Sequence, residues 1–526
     1  MQVRHNLNIT WRLIMDTVNS DYKNRSAVTT VLIFICTYYI VRSGKMSNSS
    51  LGTVISTLAF MACCLYFLRL NQVHLQNKAF PLLLFSLAFV AAVFLNGNIM
   101  IRKFALLSSI VLFLFALCKG TYCFSPVSES DHVPADLVQC FMYGIDPARL
   151  AKLKSNDEQS ELTSKLIPLV LKILLGLILS SPVFIFALLM LSYDASFCEL
   201  LNNIFSFDFY DLVEEAWVIL CTIPVFLYLY LGVVSCTDSA NTRRIDNSFF
   251  SRIRSSLSWF SPVTLSAMVI PVLSLYTVFF ISQWDYYTLA FYGCLPSGYS
   301  YAEYAREGFF QLCAVSAVNL LLMLGCTWFS KLQSNGSRII LKAITIAISV
   351  CSLILILTAA SKMYLYILQY GLTPLRVYSS WAMIVLTVIF LLFIAKQFSD
   401  KLPLYSLCII CSAVLFLTLC VCDPDSRIAE YNTIQFIKGN LDTVDIDLLN
   451  DLGDSAVPSL IRLNEYYLSL SPEQLQVMID EHEFHPENIH INQLHSYYSD
   501  RSSELNKWYC MTMPYLMAKL SLNSDG

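Results

Sequence analysis

Charge is what this sequence has least of. Only 14% of its 526 residues are charged, against roughly 25% in an average soluble domain. A water-soluble chain of this length needs more polar surface than that to cover itself. Glycine (16) and proline (17) are not enriched either, which excludes a collagen-like or linker-type chain. There is no G-x-x-x-x-G-K-[ST], no G-x-S-x-G and no dinucleotide fingerprint. ATP-driven or hydrolase chemistry therefore has no motif behind it, and no cofactor is implied. Residues 1–25 are polar, and no small-residue cleavage site follows the first apolar run. That run reads as a retained anchor rather than a signal peptide. Beyond Asp423, long apolar runs are missing altogether.

Before Asp423 they dominate. The chain is 56% hydrophobic with a mean hydropathy of +0.58. A spanning helix needs about 20 mostly apolar residues. Eleven candidates are present: 26–41, 51–67, 79–95, 104–118, 166–192, 216–235, 262–283, 309–329, 339–360, 377–395 and 403–422. The fifth carries Pro168 and Pro182, and proline kinks a helix. The expected fold is all-α: a polytopic helical membrane protein of about eleven transmembrane helices with a small all-α soluble tail. The expected division is a cytoplasmic segment at 1–25, a multi-pass domain at 26–422 with a long polar loop at 119–165, and the tail at 423–526.

Threading follows from the basic residues. With the N-terminus in the cytoplasm, the inside segments hold 19 Lys and Arg and the outside loops 7, as the positive-inside rule requires. An odd number of crossings then puts the tail outside the cytoplasm, and the plasma membrane is the expected location. The tail has 17 acidic and 6 basic residues, net −11. It suits an extracytoplasmic protein partner, and it is a poor match for anionic lipid or nucleic acid. Leu448, Leu449, Leu452, Val457, Leu460, Ile461 and Leu463 recur at helical spacing. Pro458, and Pro472 after Ser471, sit where proline opens a helix. Trp508, Met511, Met513, Leu516 and Leu520 mark a last amphipathic helix.

Most of the eighteen cysteines lie in apolar stretches, where cysteine acts as a small hydrophobe. Cys408-Ile-Ile-Cys411 has metal-like spacing, but its surroundings are apolar and no second pair accompanies it, so packing is the favoured reading.

Four polar constellations stand out. The first is Tyr304-Ala-Arg306-Glu307 at the entrance to the eighth span, with Asn319 about three turns deeper. One reading is a cavity lined by Arg306, Glu307 and Asn319. The other makes Tyr304 and Arg306 interfacial anchors and Asn319 a bridge between helices. The second runs from Ser361 to Tyr378, with Tyr366, Tyr370 and Arg376 around Gly371 and Pro374. Those two residues break the helix before the next span. Transporters use such breaks to aim backbone groups at substrates, whereas an ordinary interfacial loop also carries tyrosines. The third is His482, His485, His490 and His495 beside Asp480 and Glu481. These are zinc-type ligands, but His482-Glu483-Phe484-His485 is one residue too tight for H-E-x-x-H, and a solvated face is the simpler reading. The fourth is Asp208, Asp211, Glu214 and Glu215 near the sixth span, read as solvated charge or as carboxylates that take protons or cations.

Three segments resemble signatures of a bacterial family of polytopic membrane proteins catalogued as a domain of unknown function. They are Tyr304-Ala-Arg306-Glu307-Gly308-Phe309-Phe310; Tyr370-Gly371-Leu372-Thr373-x-x-Arg376; and Ile428-Ala429-Glu430-Tyr431-Asn432 followed by Gly439-Asn-Leu441-Asp442 and Asp454-Ser-Ala456-Val457-Pro458-x-Leu460. The resemblance covers about residues 285–465 and implies a bacterial membrane protein, without a mechanism.

The sequence thus favours a membrane protein that moves or binds a small polar or lipidic ligand near Arg306, Glu307, Asn319, Tyr366, Tyr370 and Arg376. The alternatives are a membrane-anchored sensor or scaffold acting through the tail, and a membrane enzyme on lipid-linked substrates. An enzyme is the less favoured class.

Overall fold

A computed structural model describes residues 25–43, 50–121, 136–138, 140–141, 209–237, 260–282, 301–330, 335–399, 401–473 and 511–524. The expected fifth span, the histidine cluster and Asp208 lie outside these residues. The principal α-helices among the described residues are α1 Arg25–Ser43, α2 Ser50–Leu70, α3 Phe80–Leu95, α4 Ile99–Gly120, α5 Phe209–Ser235, α6 Pro262–Ser282, α7 Tyr301–Phe329, α8 Asn335–Tyr370, α9 Pro374–Phe398, α10 Leu404–Val421, α11 Pro424–Ile437, α12 Ile446–Asp451, α13 Val457–Ser469 and α14 Met513–Ser524. Among the described residues no strand occurs, only an isolated bridge between Phe260 and Ser330.

Nine helices among the described residues are long and apolar enough to cross a membrane, at the positions of nine of the eleven expected spans. Helix α7 covers the eighth, and its described apolar stretch is Leu312–Thr327. Helix α8 departs from expectation. The segment after 360 reads as a loop by polarity, yet the helix runs unbroken to Tyr370. At 36 residues it is about 54 Å long, well past the roughly 30 Å of hydrocarbon. Ser361, Lys362 and Gln369 make the last turns more polar, but polarity does not end a helix, and this one ends only at the first breaker, Gly371.

The chain divides into two compact units: residues 1–90, 107–126 and 136–244, and residues 91–106, 127–135 and 245–526. In the first, Phe60 and Phe113 are buried and meet edge to face at 6.2 Å. Glu215 forms an ion pair with Arg42 at 2.6 Å and accepts from the Tyr38 hydroxyl at 2.6 Å. That carboxylate of the acidic segment is therefore committed to local partners. The thiol of Cys118 lies 3.8 Å from that of Cys236 and 3.7 Å from that of Cys140.

In the second unit, α8 is the central rod. Leu355, Ile356 and Ala359 of α8 are buried with Met323 of α7, Val269 of α6 and Phe390 and Phe393 of α9. In lipid such packing is held by dispersion and close fit rather than by expulsion of water. Ser316, Ser349 and Ser352 satisfy their hydroxyls on carbonyls four residues back, so they cost little in an apolar interior. Cys408 and Cys411 are half-buried on α10.

Beyond Asp423 the helices build two small cores. One gathers Phe436, Leu449, Leu460 and Leu463; the other sets Val457 and Ile461 of α13 against Tyr515, Ala518 and Leu522 of α14. Helix α14 exists where the last amphipathic helix is expected, and of the apolar residues expected there Leu516 packs on this core. Met513, Met517 and Leu520 stay exposed. Apolar residues surround much of this helix, so periodicity allows two phases, and Val457 and Ile461 select the one through Tyr515 and Ala518.

Candidate functional site

The turn between α8 and α9 is three residues long and tightly specified. Gly371 closes α8 at φ +71°, the left-handed region that glycine enters without strain. A Cβ on Gly371 would lie 2.5 Å from Oδ1 of Asn432. Thr373 is the N-cap of α9, and Pro374 takes its first position. Asn432, on α11, holds the turn from outside. Its Oδ1 accepts from the Leu372 N–H at 2.7 Å and its Nδ2 donates to the Leu372 carbonyl at 2.8 Å.

Arg376, one turn into α9, folds back over that turn. Its Nη1 donates to the carbonyl of Tyr370 at 2.8 Å and to that of Gly371. Its guanidinium lies 4.0 Å from the Tyr366 ring centre, and Tyr366 meets Tyr370 edge to face. A cation over a ring and at a helix C-terminus is stabilised twice, by the quadrupole and by the helix dipole. Among the described residues no carboxylate pairs with it.

The turn between α3 and α4 adds the second half. Asn98 caps α4: its Oδ1 accepts from the N–H groups of Met100 and Ile101 at 3.0 and 3.3 Å. Its Nδ2 is then free to donate to Asp425 Oδ2 at 2.9 Å and to the Tyr378 hydroxyl at 3.2 Å. Asn96 Nδ2 donates to the Cys420 carbonyl at 2.9 Å. The Gly97 N–H donates to Asp423 Oδ1 at 3.1 Å, and the Ser455 hydroxyl donates to Asp423 Oδ2 at 3.0 Å. A Cβ on Gly97 would collide with the Ser455 hydroxyl oxygen.

Two carboxylates are thereby buried at the elbow between α10 and α11. Asp423 is 8% exposed and Asp425 5%. Burial raises the pKa of both above the ordinary carboxylate value. For Asp423, the Gly97 N–H and Ser455 pull the other way, while the neighbouring Asp425 adds to the rise. For Asp425, Asn98 and Tyr378 oppose the rise. The two halves are carried by the same pair of helices and are together called the belt: α9 holds Arg376 and Tyr378, and α11 holds Asp425 and Asn432.

Of the residues expected to bind ligand, Tyr366, Tyr370 and Arg376 come together. Asn319 does not join them. It is fully buried on α7, accepts from the Tyr276 hydroxyl at 2.6 Å and donates to the Ser352 hydroxyl at 3.0 Å. Ser352 lies eighteen residues before the end of α8, about 27 Å along the axis. Arg306 and Glu307 stand in the first turns of α7, and their side chains fall outside the described residues. Asn96, Asn98 and Asp425 carry no mark as site residues in the sequence, and Asp423 marks only the start of the tail. An N-G-N between two apolar runs is a turn signal, but nothing in it announces a partner more than three hundred residues away.

The family model described as domain of unknown function (DUF4153) matches residues 28–463. The chain belongs to that family. The DUF4153 match runs from α1 into α13, so it takes in both turns, the elbow and Asn432. No curated protein and no solved structure matches the chain.

Proposed function

We propose that this DUF4153 protein binds, in its membrane, a small polar or lipidic ligand through an anionic group, at the platform formed by Tyr366, Tyr370 and Arg376. The observation that carries the reading is the state of Arg376. Its guanidinium is held in place by a ring and two carbonyls yet has no carboxylate to neutralise it among the described residues. It sits at the start of an apolar helix, where a headgroup phosphate or carboxylate supplies the missing charge. Arg306 and Glu307 are the proposed second set, at the entrance to α7. Asn319, with both ends of its amide engaged, is better explained as a bridge between α6, α7 and α8. The plasma membrane, a cytoplasmic N-terminus and an extracytoplasmic tail complete the proposal, and a sidedness reporter fused after Gly526 tests the last of these.

The binding test uses the full chain in nanodiscs, comparing anionic with zwitterionic phospholipid by native mass spectrometry. Arg376→Gln should reduce retention of the anionic lipid about tenfold, in line with the ~1.5–3 kcal/mol of a hydrogen bond to a charged group. Arg306→Ala, in parallel, reports on the second set. Equal retention by wild type and Arg376→Gln overturns the platform.

A further inference from the structure

The elbow between α10 and α11 contains a polar atom that the ligand platform does not use. Asp425 is 95% buried. Its Oδ2 accepts from Asn98, whereas its Oδ1 has no hydrogen-bond partner. A buried carboxylate keeps its charge when both oxygens are bonded or a cation is in contact. The adjacent Asp423 meets that condition through Gly97 and Ser455. Asp425 does not.

The surrounding charges do not rescue it. Asp423 brings a like charge. Arg427, further along α11, is mostly exposed and paired with Glu430 at 3.0 Å. Arg102, on α4, interacts with Asp454 and Asp423. Tyr378, on α9, shares the Asn98 amide with Asp425 and its hydroxyl favours the charged form, but it is neutral. No described cation is in contact with Asp425 itself.

We propose that Asp425 is a proton-binding site, carrying a proton taken from water on its Oδ1 in the folded chain, so that the first turn of α11 packs against the Asn96–Asn98 turn without a second buried charge. The proposal is independent of the ligand platform. The sign follows from burial, which raises the folded pKa above the unfolded value of about 3.9. The stabilisation is complete below that value and is lost as pH rises through the folded pKa. Two carboxylates this close cannot both be ionised cheaply, and the proton settles on the one with a vacant oxygen.

The test is infrared spectroscopy of full-length protein in nanodiscs, following the carbonyl band of a protonated carboxyl as pH is raised from about 4. Wild type should show a band that persists above the range of an ordinary aspartate. The band should vanish in Asp425→Asn and survive in Asp423→Asn. Tyr378→Phe removes a hydroxyl that favours the charged form, so its midpoint should move up. This arm holds even where a change at Asp425 impairs folding. In thermal unfolding, the gap between Asp425→Asn and wild type should widen as pH rises, with the variant the more stable. A band lost with Asp423→Asn instead, no band in wild type, or an unmoved midpoint in Tyr378→Phe overturns the proposal.

Discussion

Asn319 and Asp425 are both deeply buried polar residues, and they show opposite solutions to the same problem. Asn319 is neutral, and each end of its amide meets a hydroxyl, from Tyr276 on one side and Ser352 on the other. It costs the bundle little and ties three helices together. Asp425 is ionisable, half-bonded and set beside a second carboxylate. The first is the arrangement expected of a structural bridge. The second is tolerated only where the surroundings are fixed by other contacts, and here those contacts are the two turns and Asn432. The difference implies that the belt, not the mid-bundle bridge, is where this fold accepts cost, and cost without structural return is a mark of function.

The largest effect expected outside the proton and ligand tests is at the turn that holds the belt together. Gly371→Ala places a methyl group at φ +71°, 2.5 Å from Asn432 Oδ1. The left-handed backbone costs about 1–2 kcal/mol, and disrupting the paired Leu372–Asn432 bonds adds about 1–3 kcal/mol. A loss of about 2–5 kcal/mol should appear as a large drop in melting temperature in detergent. Increased proteolysis should accompany it, confined to the α10–α11 elbow and α11. Wild-type melting and cleavage in this variant would break the comparison, because the belt would then not depend on the turn.

How much of this was legible in the sequence depends on distance along the chain. Apolar runs and helix breakers act locally, so nine spans and the Gly371–Pro374 break can be read directly. Tyr366, Tyr370 and Arg376 fall within eleven residues, and their grouping was legible for the same reason. The reciprocal bonds of Asn432 to Leu372 join positions sixty apart, and those of Asn98 to Asp425 join positions 327 apart. Composition and period carry no information about such pairs. The end of α8 was misplaced because the apolar run stops near residue 360, whereas the helix runs on to Tyr370. The buried face of α14 was not legible because the deciding residues, Val457 and Ile461, lie on another helix.

A smaller effect should follow at the bridge. Asn319→Ala strips partners from Tyr276 and Ser352. Interhelical hydrogen bonds in membranes average about 0.6 kcal/mol and reach about 1.7 kcal/mol, so a loss of about 1–2 kcal/mol is expected. The sharper outcome concerns function. Retention of anionic lipid by Asn319→Ala should match wild type once the protein is folded. A variant that folds normally but loses lipid would move the ligand site into the α6–α7–α8 interior and dissolve the distinction between bridge and belt.

The smallest effect should come from Ser352→Ala. The Ser352 hydroxyl also donates to the Ile348 carbonyl of its own helix at 2.7 Å, so it has a local role that the bundle does not need. Removing it leaves that carbonyl in its ordinary helical bond and takes one donor-acceptor contact from Asn319, whose Oδ1 still holds Tyr276. A loss near ~0.6 kcal/mol follows, a shift of a degree or two that calls for paired unfolding curves on one preparation. Made together with Asn319→Ala, the change should add almost nothing, since both act on one contact. Full additivity would mean that Ser352 and Asn319 serve separate partners, and that the bridge spans two helices rather than three.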